Sequence, residues 1–229
     1  MDAFYLEKMA RTLQVALAAE GALPTIIYAL IDLEYENEEY CMDDYRHKWF
    51  SQKFTDLTGH FSRRLDSRCR GLLKVKGKEV WFLHRTVADF LRTAEMEKFI
   101  QGHVKRKFNP MLSIFQAYTS WIGRYYSDID DTTTKLMDDT LHVALRYAGY
   151  AFNDDRSNPS VVCDRLDWME SSTPLSIAPI NPPSFWVLRF RNAVLKAGLT
   201  TYLSVKLPQN PHYFERDTLG CMNRLCKRS

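Results

Sequence analysis

Five large apolar residues, Phe50, Phe54, Leu57, Phe61 and Leu65, recur at intervals of four, three, four and four. That spacing lines one face of an α-helix. It predicts a helix over 46–69, with Ser62, Arg63, Arg64, Asp66 and Arg68 mostly outside the stripe. So continuous an apolar face has to be covered, so the rest of the fold must supply elements to pack on it. Gly71 follows at once, where a helix can end with positive φ.

The periodicity then changes. Leu72–Val75 and Val80–Leu83 are short β-prone runs flanking the polar Lys76-Gly-Lys-Glu79, which reads as a β-hairpin over about 72–83. Helical spacing resumes with Val87, Phe90 and Leu91 on one side, Thr86 as N-cap and Asp89 as the acidic member of a capping box. Upstream, Tyr5, Met9, Leu13 and Leu17 mark a helix over 2–20 that Gly21 stops. Pro24 suits the first turn of a second helix running to about Leu33. The acidic stretch Glu34–Asp44 is a polar connection.

Beyond Phe108 every element reads as helical. Asn109-Pro110 starts one helix, carrying Met111, Leu112, Phe115 and Tyr118; Asp131–Thr134 caps another, carrying Leu136, Leu141, Ala144, Leu145 and Ala148. Asn158-Pro159 begins a short helix through Leu166 and Trp168. The stretch Thr173–Ser184 holds four prolines and is a loop, after which helices over 184–197 and 199–207 meet at Gly198. The expected fold is mainly α. A winged-helix-like module with one short β-hairpin fills 1–107, an α-helical bundle or repeat-like domain fills 108–207, and 208–229 is a poorly ordered tail.

Composition narrows the function. The 229 residues are 45% apolar and 26% charged, as in an ordinary globular protein, and the net charge of +3 is too small to argue for nucleic acid by itself. The five cysteines are scattered; only Cys221 and Cys226 lie close, so the expectation is free thiols in a reducing cytosol and no metal site. Asp2 and Glu7 interrupt any secretory pattern, and the near-apolar run Gly21–Ile31 is too short to span a bilayer. A cytoplasmic protein with no membrane partner is expected.

Several stretches mimic catalytic motifs without meeting their chemistry. A phosphate-binding loop needs four residues between its glycines and a hydroxyl after Gly-Lys. Here five residues separate Gly71 from Gly77, and Glu79 stands where the hydroxyl should be. The pair His84-Arg85 is followed by Thr86 where a kinase catalytic loop has Asp, and Asp89-Phe90 is followed by Leu91 where glycine is required. No Gly-x-Ser-x-Gly occurs, and the carboxylate pairs Asp130-Asp131, Asp138-Asp139 and Asp154-Asp155 are sequence neighbours that diverge on a helix. The chain is expected to be no enzyme and to hold no cofactor.

The run Arg63–Leu91, RRLDSRCRGLLKVKGKEVWFLHRTVADFL, resembles the segment that follows the NACHT nucleotide-binding domain in fungal NLR-like proteins of the STAND class. LPTIIYALIDLEYE, FNPMLSIFQAYTSWI, DDTLHVALRYAGYAF and FRNAVLKAGLTTYLSVKL are also similar to that post-NACHT region, extending the likeness over roughly residues 5–207. The resemblance implies a winged helix and a helical domain that pack on a nucleotide-binding domain and help gate its ADP/ATP switch. In that family a histidine after the wing commonly touches the β-phosphate of ADP. Phe82, His84, Asp89 and Phe90 match its motif, which carries that role to His84 when a NACHT domain is present.

The chain contains no Walker motif and departs there from the family's larger architecture, so it reads as a fragment, a truncated product or a stand-alone relative. Its expected partner is a NACHT domain, in cis or in trans, or another protein. Two alternatives share the residues: a generic helical interaction domain, and a nucleic-acid-binding winged helix using Arg63, Arg64, Arg68, Arg70, Lys74, Lys76 and Lys78 on phosphate. Asp66 and Glu79 interrupt that basic run, which disfavours nucleic acid.

Overall fold

A computed structural model describes residues 3–42, 51–104, 108–125, 131–171 and 183–214. Phe50, most of the proline-rich stretch 173–184, Cys221, Cys226 and the end of the expected tail lie outside the described residues. The architecture is mainly α with one small antiparallel sheet. The chain divides into two units, Met1–Cys41 with Trp49–Ala117, and Met42–Lys48 with Tyr118–Ser229.

The first unit begins with α1 (Ala3–Ala18), β1 (Leu23–Pro24) and α2 (Thr25–Ile31), followed by 3-10 turns over Asp32–Tyr35 and Tyr40–Met42. Next come α3 (Ser51–Cys69), β2 (Leu73–Lys76), β3 (Glu79–Phe82), α4 (Arg85–Leu91) and α5 (Ala94–Gly102). The stripe of α3 is covered as its spacing requires. Phe54, Phe61 and Leu65 are buried, and the Tyr28 ring of α2 stacks on Phe61 with centroids 5.8 Å apart.

One polar contact ties these helices together. Arg68 in α3 is only 3% exposed, although the sequence places it off the apolar stripe. Its guanidinium donates to both carboxylate oxygens of Asp32, at 2.6 and 2.8 Å, and to the Thr12 hydroxyl of α1 at 3.3 Å. Two parallel bonds to one carboxylate fix direction as well as distance. A second buried cation, Arg11, pairs with Glu7 at 3.2 Å and lies between the rings of Tyr35 and Phe108, 4.6 and 4.8 Å from their centroids.

The end of α3 sets up the hairpin. Arg70 takes a left-handed conformation with φ 50°, one residue before Gly71 at φ 76°. The Gly71 amide reaches back to the Asp66 carbonyl and Leu72 to Cys69, which closes the helix and turns the chain into β2. Between β2 and β3, Gly77 holds φ 63° at the first central position of the two-residue loop, where a tight hairpin turn needs it.

β1 is a strand absent from the sequence expectation. It pairs antiparallel with β3, Leu23 opposite Val80 and Pro24 opposite Glu79, so the sheet order is β1-β3-β2. Two residues with a proline carry no alternation to read, and only the neighbouring β3 makes them a strand. Pro24 therefore precedes α2 as its N-cap and is not inside its first turn. The Thr25 amide and hydroxyl both donate to the Lys78 carbonyl, at 2.7 and 3.0 Å, stitching the start of α2 to the hairpin loop.

The helix α6 (Pro110–Tyr125) contains the boundary between units, and Asn109 caps it by accepting from Met111 and Leu112. In the second unit α7 (Asp131–Phe152), α8 (Pro159–Ser171), α9 (Pro183–Ala197) and α10 (Thr200–Gln209) bury Leu141, Leu145, Leu166, Trp186, Phe190 and Tyr202. Leu136, expected in the α7 stripe, is exposed instead. Glu170 of α8 accepts from Arg191 at 2.7 Å and from the Tyr213 hydroxyl at 2.9 Å, while Asp167 accepts from Tyr202 at 2.8 Å. Of the segment expected to trail from Pro208, residues 208–209 complete α10 and Tyr213 is buried by this network.

Removing one partner of a buried ion pair leaves the other charge stranded, which costs about 3–5 kcal/mol. Asp32→Ala and Arg68→Ala should each lower the urea-derived unfolding free energy by roughly that amount. The Asp32→Leu/Arg68→Met double variant should lose less than the sum of the two single losses, because both charges leave together. Burial also pushes the neighbouring Cys69 thiol up to about 12. The unfolded thiol ionises from about 9, so the unfolded state gains as pH rises through that window and stability falls between about 9 and 12. Denaturant midpoints measured at pH 7, 9 and 10 check the direction.

Candidate functional site

The cross-strand register sorts the hairpin into two faces. Leu73 pairs with Phe82 and Val75 with Val80, and these turn toward the core. Lys74 pairs with Trp81 and Lys76 with Glu79 on the outer face. Diagonal neighbours on one face are also within reach of long side chains, and the Lys76 ammonium lies 5.9 Å from the Trp81 ring centroid. Trp81 is 45% exposed, and Leu83 and Phe90 are each 52% exposed. Three large apolar side chains are thus left open to water within ten residues of sequence.

Phe90 departs from expectation. The helical spacing sets it beside Val87 and Leu91, but α4 has only two turns, and it is Leu91 that is fully buried. The capping expectation also shifts by two residues. His84, not Thr86, is the N-cap of α4, in extended conformation, and its Nδ1 accepts from the Thr86 amide at 3.3 Å. The Thr86 hydroxyl lies 2.9 Å from the same nitrogen, and Asp89 forms no capping box.

This geometry determines what His84 can do chemically. With Nδ1 accepting, the neutral ring carries its proton on Nε2. That nitrogen makes no hydrogen bond among the described residues, and the side chain is exposed. A cap on its own helix and a donor outward are therefore compatible roles for one ring.

A cleft of about 410 Å³ opens beside the hairpin, between the last turn of α1, β3 and α4. Tyr28, Trp81 and Phe82 supply aromatic walls, and Arg85 and Asp89 of α4 with its C-cap Arg92 reach its edge. Trp81, Arg85 and Arg92 belong to no motif that would mark them as site residues in the sequence. The period-two alternation of β3 marks Trp81 as outward, but nothing local shows that α1 closes the far side. A smaller cleft of about 240 Å³ lies over α2 and α3 with Lys8, Asp32, Glu36, His60 and Arg64 around it. Its charges are mixed, burial holds the Lys8 ammonium below its ordinary value, and Asp32 is already engaged by Arg68.

The described cysteines Cys41, Cys69 and Cys163 are buried free thiols. Among the described residues no group of three His, Cys, Asp or Glu could hold a metal ion, and no helix is long and apolar enough to cross a membrane. A family model described as "Domain of unknown function (DUF7791)" matches residues 1–122, a span that includes the hairpin and both its flanking helices. No curated protein and no solved structure matches the chain.

If His84 serves the fold only as a cap, His84→Ala should cost about 0.5–1 kcal/mol in chemical unfolding, and His84→Asn should recover most of it. A loss several times larger would mean that the ring is structurally indispensable.

Proposed function

We propose that this chain, which belongs to the DUF7791 family, is a non-enzymatic regulatory module that packs against a nucleotide-binding domain of the NACHT type and helps gate its ADP/ATP switch. The carrying observation is the exposure of three large apolar side chains, Trp81, Leu83 and Phe90, in the same short segment as the exposed His84. Water-exposed side chains of that size gain most by burial against another protein.

The topology of the first unit supports the same reading. Its order of helix, strand, two helices and hairpin, with the first strand paired to the last, is compatible with a winged helix in which β2 and β3 would form the wing. His84 stands at the start of the helix after the wing, with Nε2 available to donate to a phosphate oxygen. The nucleotide and its metal would be held by the partner domain; His84 would add one contact that favours the ADP-bound, closed state. This wing–helix corner would act by position, holding one arrangement of its neighbour.

A nucleic-acid reading draws on the exposed Lys76 and Lys78 and the half-buried Lys74 of the hairpin. Glu79 opposite Lys76 and the apolar Trp81 beside it weaken that surface for a phosphate backbone.

Calorimetric titration of the isolated chain with Mg-ATP and Mg-ADP should give no saturable binding, and phosphate release should stay at the buffer rate. Turnover, or tight Mg-ATP binding, would overturn the proposal. A gel shift on duplex DNA at low salt should likewise be negative; a shift that weakens steeply with added salt would favour the nucleic-acid reading.

A further inference from the structure

We infer that the cleft between α1 and α4 is a docking groove for an acidic amphipathic helix of a partner protein. The inference rests on the regulatory-module reading and adds the chemistry of what that module grips. Three observations converge on it.

The first is charge without a partner. Arg85 and Arg92 both line the cleft, both are exposed, and neither forms an ion pair among the described residues. Asp89 lies between them on the same face of α4, four residues from one and three from the other, and it too remains unpaired among the described residues. The cleft edge thus carries two guanidinium groups against one carboxylate. Arginine is the side chain suited to grip a carboxylate with two parallel bonds, and covering it without an anion would be costly. The complement is an acidic segment.

The second is composition. Trp81 and the two arginines are the residue types that dominate binding energy at protein interfaces. A phosphate backbone would ask for a run of cations, and the apolar floor of Leu73, Val80 and Phe82 offers it nothing.

The third is shape. Ala16, Ala19, Gly21 and Ala22 form the α1 side, where short side chains leave room for another backbone to come close. A Cβ built on Gly21 would meet nothing within 4 Å. An open cleft of about 410 Å³ with one low wall suits the apolar ridge of a helix laid along it, its flanking carboxylates reaching Arg85 and Arg92.

The test uses a defined probe. A fluorescein-labelled helical peptide with leucine at every third or fourth position and glutamate on both flanks is titrated with the full chain at low salt and followed by anisotropy. Saturable binding is expected, at least tenfold tighter than for the same peptide with lysine in place of glutamate. The Arg85→Glu/Arg92→Glu variant, whose changes are on exposed positions, should keep its melting temperature and lose at least tenfold in affinity for the acidic peptide. It should gain affinity for the lysine peptide. No saturation with the acidic peptide, or equal binding by the charge-reversed variant, would overturn the groove. Such a failure leaves the regulatory reading standing if Mg-ATP still does not bind. Turnover of ATP alongside normal peptide binding would sink that reading and spare the groove.

Discussion

The bidentate contact between Arg68 and Asp32 governs the geometry of the first unit. It joins the last turn of α3 to the 3-10 turn after α2, and Thr12 brings α1 to the same guanidinium. Two residues beyond Arg68 the chain leaves the helix, and β2 follows. The direction in which the hairpin departs is therefore set at a buried charge that cannot slide without losing both bonds. Apolar packing of Phe61 and Leu65 would tolerate small rotations of α3; a paired guanidinium at its end does not.

The sheet then serves as a strut more than as a layer of its own. β1 is two residues long and holds β3 from one side while β2 holds it from the other. Two bonds from Thr25 to the carbonyl of Lys78 join the start of α2 to the tip of the hairpin. The result is a cross-braced sheet that turns one apolar face inward, through Leu73 and Val80, and shows Trp81 outward. Rigid presentation of a large aromatic side chain lowers the entropy lost when a partner covers it.

Much of this was legible in the sequence, for reasons that differ by element. The α3 stripe and the hairpin stand out because their periods, 3.6 and 2, are local properties of the chain. The helix starts at Asn109-Pro110 and Asn158-Pro159 were readable from an asparagine before proline, and the structure adds that both asparagines accept backbone amides. What escaped depends on residues far away. Arg68 was placed outside the α3 stripe because its partner, Asp32, lies 36 residues upstream. β1 exists only through β3. Phe90 sits at helical spacing with Val87 and Leu91, yet a two-turn helix buries one narrow line of side chains, and Leu91 takes it. The N-cap moved from Thr86 to His84 because α4 begins two residues after β3, where the extended backbone of His84 already suits a cap. His84 itself was singled out by resemblance alone; no local pattern separates an outward donor from an ordinary capping ring.

The claim on which the account turns is that the outer face of the hairpin meets another protein. Replacing Trp81 with a photo-crosslinking benzoylphenylalanine in cells that produce the chain, then identifying what is attached by mass spectrometry, reads that contact directly. The account predicts one defined adduct, to a protein containing a nucleotide-binding domain, with the attachment lost when the crosslinker is moved to the buried position of Val80. Attachment to nucleic acid, or a free chain with no adduct at position 81, would contradict it.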